Sequence, residues 1–376
     1  MSDSLSSLYG GRGIAFTHGR GSHIFDTAGR EYIDFFNGHG ASLFGHSHPL
    51  LTETLEKAAK GIWTSGAGFE SPIREKLADE LGMMFGGGRA FFCNSGTEAV
   101  EAALKLSLIL RKGRSRILAC RRGFHGRSCG ALSMTFNPKY REPFMPLLGK
   151  VEHFSISELA ENIDDDTAAV FIEPVQGEGG VHPLPSETGN KITKACQKHS
   201  ALLICDEIQS GLGRCGAPLA SSITGLDPDM VCLAKGLAGG IPAGALVWKK
   251  ELGDFLPHSH GSTYGGNELA AAVSLTVLSM VMHSGLPEKA TRSGEFFRSR
   301  IAAIGSSHIK DVRGLGLLNG IELDIPSVGV VRALQENGLL SLTAGPRTLR
   351  FLPSFAAEGK DFEDAALILT RTLEGF

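Results

Sequence analysis

Two residues of opposite charge, Asp206 and Lys235, stand where apolar runs end. The run 201–205 stops at Asp206, and the run 230–234 stops at Lys235. Buried strands that end on a charged residue place that residue at the carboxyl edge of an open α/β sheet, where ligands bind. A single strand often ends at a charged residue. An acid and an amine that reach the same crevice, however, indicate a ligand-binding or catalytic site.

A turn of small residues follows the short strand predicted at 90–93 and precedes a helix of about 16 residues. The backbone N–H groups of Gly96 and Thr97 would stand at the helix N-terminus, where free amides and the helix dipole favour a phosphate. The turn lacks the patterns GK[ST] and GxGxxG, which disfavours nucleoside triphosphates and NAD. An ordinary capped helix is the alternative.

A loop after the predicted strand 115–120 offers an aromatic ring and a cation. Phe124 can lie on a flat ring, and Arg127 can bind a carboxylate. A lysine beside a phosphate site forms a Schiff base with a phosphorylated aldehyde, and pyridoxal phosphate is the common one. An acid such as Asp206 at the ring nitrogen would keep that nitrogen protonated. Other phosphate-binding α/β proteins remain the alternative.

The order of elements predicts an α/β fold. Strands at 115–120, 167–172 and 201–205 alternate with helices at 157–163 and 188–199, which predicts a mostly parallel sheet covered on both faces. Beyond residue 286 the pattern changes to a small α+β domain, with its last helix starting at Phe362. The predicted division is an N-terminal segment 1–50, a large domain 51–268 and a small domain 269–376.

Composition limits the possible partners. A formal charge of -3 over 376 residues disfavours nucleic acid, and no apolar segment approaches the length of a membrane span. The N-terminus lacks a signal-peptide pattern, so a cytoplasmic location is predicted. The seven cysteines form no CxxC pair and are expected to be reduced, and His46 and His48 lack a third ligand, so no metal is predicted.

Eight strings match one family in order and spacing. The sequence resembles the class III pyridoxal phosphate aminotransferases over nearly its whole length, most of all the acetylornithine aminotransferase group, which includes enzymes of lysine biosynthesis with carrier-linked substrates. The resemblance implies fold type I, with a large, mostly parallel seven-stranded sheet domain and a smaller α+β domain built from the C-terminal part and the N-terminal segment. The strings are NSGTEA (94–99), FHGR (124–127), EPVQGEGGV (173–181), DEIQSGLGRCG (206–216), LAKGLAGGIPAGA (233–245), HGSTYGGN (260–267), VRGLGLLNGIEL (312–323) and LRFLPS (349–354).

The resemblance also implies roles at the cofactor. Lys235 would hold pyridoxal phosphate as a Schiff base and carry a proton, while Asp206 would pair with the ring nitrogen. Gln209 would bond the phenolic oxygen, and His125 would either pack beside the cofactor or orient Asp206. Thr263, with Ser262, would reach the site of a neighbouring subunit, which requires a homodimer. The full implied cofactor set is Ser95, Gly96, Thr97, Phe124, His125, Asp206, Glu207, Gln209, Lys235 and Thr263.

For substrates, the resemblance implies that Arg127 binds a carboxylate and Arg350 the α-carboxylate of glutamate or 2-oxoglutarate. Glu178 would pair with Arg350 while an ω-amino donor is bound, and would release it for glutamate. The predicted reaction moves the terminal amino group of N-acetylornithine, or of a similarly blocked or carrier-linked diamino acid, to 2-oxoglutarate. The alternatives are an aminomutase or racemase of the same fold, and an ornithine or 4-aminobutyrate aminotransferase.

Two further features bear on the donor. The loop TSGAGFE (64–70) lacks the aromatic residues of some ornithine enzymes, and such a polar mouth would suit a longer or acylated donor. Basic residues between 111 and 122 would suit an acidic carrier protein, or would only form a solvated face.

Overall fold

The structure, a computed structural model, describes residues 4, 6–8, 10–66 and 68–376. Its centre is a seven-stranded sheet in which Gly244–Lys249 runs antiparallel to both neighbours and the other neighbouring pairs are parallel. The mostly parallel sheet predicted from the sequence is therefore confirmed. In spatial order the strands are Gly88–Cys93, Gly244–Lys249, Met230–Leu233, Leu202–Asp206, Thr167–Ile172, Arg116–Cys120 and Glu152–Phe154.

Both faces of this sheet are buried. Successive residues of one strand alternate between two apolar clusters, with Leu203 and Cys205 in one and Leu202 and Ile204 in the other. Such strands are apolar throughout, because neither face meets water. The α-helices of this part are Pro49–Ala58, Pro72–Met84, Gly96–Leu110, Cys129–Met134, Pro138–Arg141, Ile156–Leu159, Ser186–His199 and Glu268–His283, and its 3-10 turns are Glu142–Leu147, Ala160–Asn162, Ala220–Ile223, Lys235–Ala238 and Lys250–Leu252.

The two ends of the chain share a second, smaller part. The antiparallel strands Phe16–Arg20, His23–Asp26 and Glu31–Asp34 are joined by Leu339–Leu340, which pairs in parallel with Glu31–Asp34. This pairing confirms that the N-terminal segment belongs with the C-terminal part. That part also holds a four-stranded sheet, Ile309–Leu315, Leu318–Leu323, Thr348–Phe351 and Leu342–Thr343, with helices Leu286–Ala302, Ser327–Glu336 and Gly359–Leu373.

The domain boundary between residues 268 and 269 stays a prediction. This boundary falls after the first residue of the helix Glu268–His283, which contacts the helices Pro49–Ala58 and Pro72–Met84 of the large part. We therefore propose that the large domain extends to the end of this helix.

Taken singly, no helix of the described residues has the length and apolar content to cross a membrane. Glu268–His283 and Leu286–Ala302 meet that criterion only as a pair, and they are bent by 69° relative to each other. Six of the seven cysteines are buried, and Cys129 is exposed. Burial raises the pKa of the buried thiols, that of Cys93 to about 12.

Candidate active site

A cavity of about 400 Å³ opens at the carboxyl edge of the large sheet. Leu202–Asp206 and Met230–Leu233 are parallel neighbours, and Asp206 stands opposite Cys232, so Asp206 and Lys235 reach the same edge. The cavity is lined by ten of the predicted site residues, which are Ser95, Gly96, Thr97, Phe124, His125, Arg127, Glu178, Asp206, Gln209 and Lys235.

Lys235 begins a 3-10 turn that is separated by one residue from the end of its strand, and it has a left-handed backbone, with φ of 47°. Such a conformation costs a residue with a side chain about 1–3 kcal/mol, and it persists where the surrounding structure holds it. Burial lowers the pKa of the Lys235 ammonium, although the charges of Asp206 and Glu178 partly oppose this. A lowered pKa favours the neutral amine, which is the nucleophilic form.

The carboxylate of Asp206 is oriented by a contact with the His125 side chain. The His125 Nδ1 lies 2.8 Å from Asp206 Oδ2, and the backbone N–H of Ile208 donates to Asp206 Oδ1 at 3.1 Å. Burial acts to lower the pKa of His125, but the hydrogen bond and charge of Asp206 outweigh it and raise that pKa. Of the two roles left open by the sequence, this contact supports the orienting one.

Glu173 joins two loops of the cavity through backbone amides. Its carboxylate accepts from the N–H of Phe124 at 2.9 Å and from the N–H of Gly177 at 3.4 Å. Burial raises the pKa of Glu173 to about 7. The loop that carries the aromatic ring and the loop that carries Glu178 are thus connected by one buried acid.

The small-residue turn has the geometry of an anion site. Ser95 caps the helix Gly96–Leu110 by accepting the Glu98 N–H, so the amides of Gly96 and Thr97 remain at the helix end beside the cavity. A Cβ at Gly96 would lie 2.7 Å from Ile208 Cδ1, so a larger residue there would require the Ile208 side chain to move.

Arg127 presents a guanidinium with no carboxylate partner among the described residues. Its Cζ lies 3.7 Å from the ring centroid of Tyr140 and 5.7 Å from that of Phe124. Stacking orients the guanidinium without consuming its hydrogen-bond donors. The guanidinium of Arg127 is therefore oriented by Tyr140 and available to an anion, and its binding of a substrate carboxylate stays a prediction.

Arg350 is masked by an acid. Its side chain is 1% exposed, and its Nη2 donates to Glu178 Oε1 at 2.6 Å while its Nη1 donates to Gln209 Oε1 at 3.2 Å. Burial acts to raise the pKa of Glu178, but Arg350 outweighs it and lowers that pKa. The Gln209 Nε2 donates to the His39 carbonyl at 3.5 Å, so its amide faces Arg350 and the backbone.

Four of the predicted residues are not among those that line the cavity: Arg350, which contacts the lining residues Glu178 and Gln209, and Glu207, Ser262 and Thr263. The carboxylate of Glu207 accepts from the Ser210 hydroxyl and from the N–H groups of Ala220 and Ser221, so its predicted contact with the cofactor is corrected to a structural role. The Ser262 hydroxyl bonds to the side chain of Asn94, next to the small-residue turn. Thr263 is exposed and does not line the cavity of its own chain, and its role in a neighbouring site stays a prediction.

A second chamber, of about 800 Å³, adjoins the first and shares Phe124 and Glu178 with it. This outer chamber includes three exposed cations, Arg122, Lys139 and Arg347, none of which forms a salt bridge within the part of the chain that the structure describes. This chamber was not predicted from the sequence. The loop 64–70, predicted to form a polar mouth, includes residue 67, which lies outside the described residues.

The residues present fit the expected cofactor. A phosphate binds to free amides at a helix N-terminus, a protonated ring nitrogen to a carboxylate, and an aldehyde to an amine. Gly96 with Thr97, Asp206 and Lys235 supply these groups around one cavity.

Comparison with known proteins places these features in a family. Residues 9–373 match the family model described as aminotransferase class III. The chain is 37% identical to the acetylornithine aminotransferase of Bacillus subtilis, over 98% of this chain and 97% of the relative. It is 38% identical to the [LysW]-aminoadipate semialdehyde transaminase of Deinococcus radiodurans, over 98% of this chain and 88% of the relative.

Solved structures show the same architecture. The ornithine aminotransferase of Toxoplasma gondii superposes with a TM-score of 0.93 at 30% identity, covering 99% of this chain and 92% of that one. The N-acetylornithine aminotransferase of Stenotrophomonas maltophilia gives a TM-score of 0.83 at 31% identity, covering 98% of this chain and 97% of that one.

Proposed function

The chain belongs to the class III aminotransferases and uses pyridoxal phosphate, and we propose that it moves the terminal amino group of an N-blocked diamino acid to 2-oxoglutarate. N-acetylornithine is the leading donor, because relatives named acetylornithine aminotransferase match nearly the whole chain. The reaction would serve arginine or lysine biosynthesis. The predicted cytoplasmic location stays a prediction.

When bound, pyridoxal phosphate supplies an electrophilic aldehyde and a ring that stabilises negative charge on the substrate carbon. Lys235 would supply the amine that anchors it and would move a proton at the substrate carbon. Asp206, oriented by His125, would pair with the ring nitrogen. Phe124 would stack on the ring, and the amides of Gly96 and Thr97 would bind the phosphate.

One observation carries the proposal: of two arginines at the cavity, one is masked and one is free. Arg350 is paired with Glu178 at 2.6 Å, whereas Arg127 has no acid partner among the described residues. With Arg350 masked, a donor is held by its carboxylate at Arg127 and presents its terminal amine. When Glu178 releases Arg350, glutamate and 2-oxoglutarate bind both of their carboxylates. An aminomutase or racemase has no second substrate and no need of such an arrangement.

The outer chamber supports a donor with a long, anionic extension, which is the second candidate. Arg122, Lys139 and Arg347 are exposed around a space that adjoins the cavity at Phe124. Several relatives are named for substrates linked to LysW, and an acidic carrier protein would complement these cations. Arg114 and Arg116, two of the basic residues noted in the sequence, contribute less to binding a carrier protein. Arg114 donates to the His199 carbonyl, and Arg116 pairs with Glu152 and Asp164.

We also propose that the chain forms a homodimer. Thr263 and Tyr264 lie exposed on a loop beside the small-residue turn, and Ile62, Trp63 and Phe69 are also exposed. Exposed apolar side chains of this size favour a protein interface. We propose that this loop reaches the phosphate region of the second subunit's site.

The test is a product assay. The enzyme is given 2-oxoglutarate with N-acetylornithine, ornithine, N-acetyl-lysine, 4-aminobutyrate or a carrier-linked donor, and glutamate is measured. Glutamate formed fastest from a blocked or carrier-linked donor is expected. Product formed without glutamate would refute transamination to 2-oxoglutarate and favour a mutase or racemase.

A further inference from the structure

The loop that carries Glu178 lies across a row of three paired residues in the small domain. In the sheet register, Arg313 stands opposite Gly320, and Gly320 stands opposite Arg350. Directly paired residues point to one face of a sheet, and neighbouring strands are about 4.8 Å apart. Arg313 and Arg350 therefore face the same side on either side of the glycine.

All three residues of this row contact the loop 178–181. Arg350 binds the Glu178 carboxylate at 2.6 Å, and Arg313 donates to the Gly180 carbonyl from Nη2 at 2.7 Å and from Nε at 2.9 Å. Val181 lies over Gly320, where a Cβ would come within 2.7 Å of the Val181 Cβ. The loop is thus fixed at two points besides the ion pair.

The loop needs this support, because its backbone is strained. Val181 is buried and has φ of 55°, which is rare for a β-branched residue. Strain of this kind persists only where contacts over-determine the conformation, and it concentrates at functional sites. The Arg313 Nε also donates to the Val181 carbonyl, at 3.2 Å, so the hydrogen bonds hold the strained residue itself.

Arg313 adds little charge to the site. Its Nη1 donates to Asp311 at 2.7 Å and to Glu322 at 2.6 Å, so two acids already compensate it. Its contribution to the loop is therefore geometric.

We propose that Arg313 is a positioning residue for donor selection, with Gly320 as its partner. Because Arg313 and Gly320 fix the loop backbone, release of Arg350 is a rotation of the Glu178 side chain over a stationary loop. Without that fixation, Glu178 would mask Arg350 poorly, and the enzyme would discriminate less between an ω-amino donor and glutamate. This inference rests on the proposed exchange of Glu178 at Arg350.

The test compares two half-reactions, one with N-acetylornithine and one with glutamate, in Arg313→Lys and in Glu178→Gln. Arg313→Lys is expected to lower kcat/KM for N-acetylornithine about fivefold, the size of one or two lost hydrogen bonds, with a smaller change for glutamate. Glu178→Gln should shift the ratio in the same direction, and the double variant should shift it no further than Glu178→Gln alone. The matched control is Arg298→Lys, which loses contacts to Gly316 and Asn319 in the same domain without touching the loop.

A second readout is independent of turnover. Hydrogen exchange of the amides at 177–182 should become about tenfold faster in Arg313→Lys and remain unchanged in Arg298→Lys. Gly320→Ala, which keeps Arg313 but displaces Val181, should produce the same ratio shift and decides the matter if Arg313→Lys does not fold.

Equal loss in both half-reactions, full additivity with Glu178→Gln, or unchanged exchange at 177–182 would overturn the role of Arg313. Failure of the wild-type enzyme to make glutamate from N-acetylornithine and 2-oxoglutarate would instead refute the proposed function.

Discussion

The inner cavity and the outer chamber meet at Phe124 and Glu178, but their polar groups are held differently. In the inner cavity, Asp206 and Glu173 are buried, and each accepts two hydrogen bonds from protein groups. In the outer chamber, Lys139 and Arg347 are exposed and form no salt bridge among the described residues. The inner groups are fixed before any ligand arrives, as a common reaction requires, whereas the outer cations are free to meet different donors.

The strongest way to break the inner cavity is to remove its amine. Lys235→Ala should lower the rate of both half-reactions by about 10⁴-fold, because anchoring and proton transfer are lost together. The absorbance change of the bound cofactor on mixing with glutamate measures this rate. Lys250→Ala removes an exposed lysine and should leave the rate unchanged. Activity retained without Lys235 would contradict its assignment.

The buried acid of the inner cavity should make stability depend on pH. Burial raises the pKa of Glu173 from 4.5 to about 7, so its protonation favours the folded state at low pH, and this contribution is lost as pH rises through about 7. The loss is on the order of 3 kcal/mol between pH 4.5 and 7.

The variant Glu173→Gln removes the carboxyl group that titrates. Urea unfolding of the cofactor-free protein at pH 5 and pH 8 should show a smaller fall in the free energy of unfolding for the variant than for the wild type. Parallel pH profiles would mean that Glu173 does not titrate in this range.

At the border of the two regions, Arg350→Met should raise KM for 2-oxoglutarate about a hundredfold, because a buried charge partner of the substrate is lost. The change also leaves Glu178 unpaired, so the variant Arg350→Met/Glu178→Gln separates the two effects. N-acetylornithine should be affected less, since Arg350 is masked while it is bound. Equal losses for both substrates would argue against alternate masking.

The outer chamber should respond only to donors that reach it. Lys139→Ala/Arg347→Ala is expected to lower kcat/KM about tenfold for a donor with an anionic extension, with a loss that shrinks at high salt. Ornithine should be unaffected, and Lys250→Ala/Arg371→Ala serves as a control of equal charge change. An equal effect on ornithine would show that the cations act on the cavity as a whole.

The inner cavity was largely predictable because it depends on strand ends. Apolar runs that stop at Asp206 and Lys235 fix which edge of the sheet they reach, and Gly96 follows a strand in the same way. The error at Glu207 was avoidable, because successive residues leaving a strand point to opposite faces. Its neighbour Asp206 enters the cavity, so Glu207 turns away from it.

The outer chamber was not predictable, because its residues come from loops far apart in the chain. Arg122, Lys139 and Arg347 have no common period or spacing, and only the fold brings them together. The stacking of Tyr140 on Arg127 likewise depends on the path of the segment between them. Helix ends show the same limit: the last helix begins at Gly359 rather than at Phe362, because Glu358 and Asp361 form a capping box that apolar periodicity does not reveal.

The distribution of thiols has a practical consequence for such measurements. Cys129 is exposed and stands two positions after Arg127, while the other six cysteines are buried. A maleimide fluorophore added to the native chain should therefore attach at Cys129 alone, close to Arg127, the proposed binding residue for the donor carboxylate. Its emission would report donor arrival in real time, without engineering any cysteine in or out.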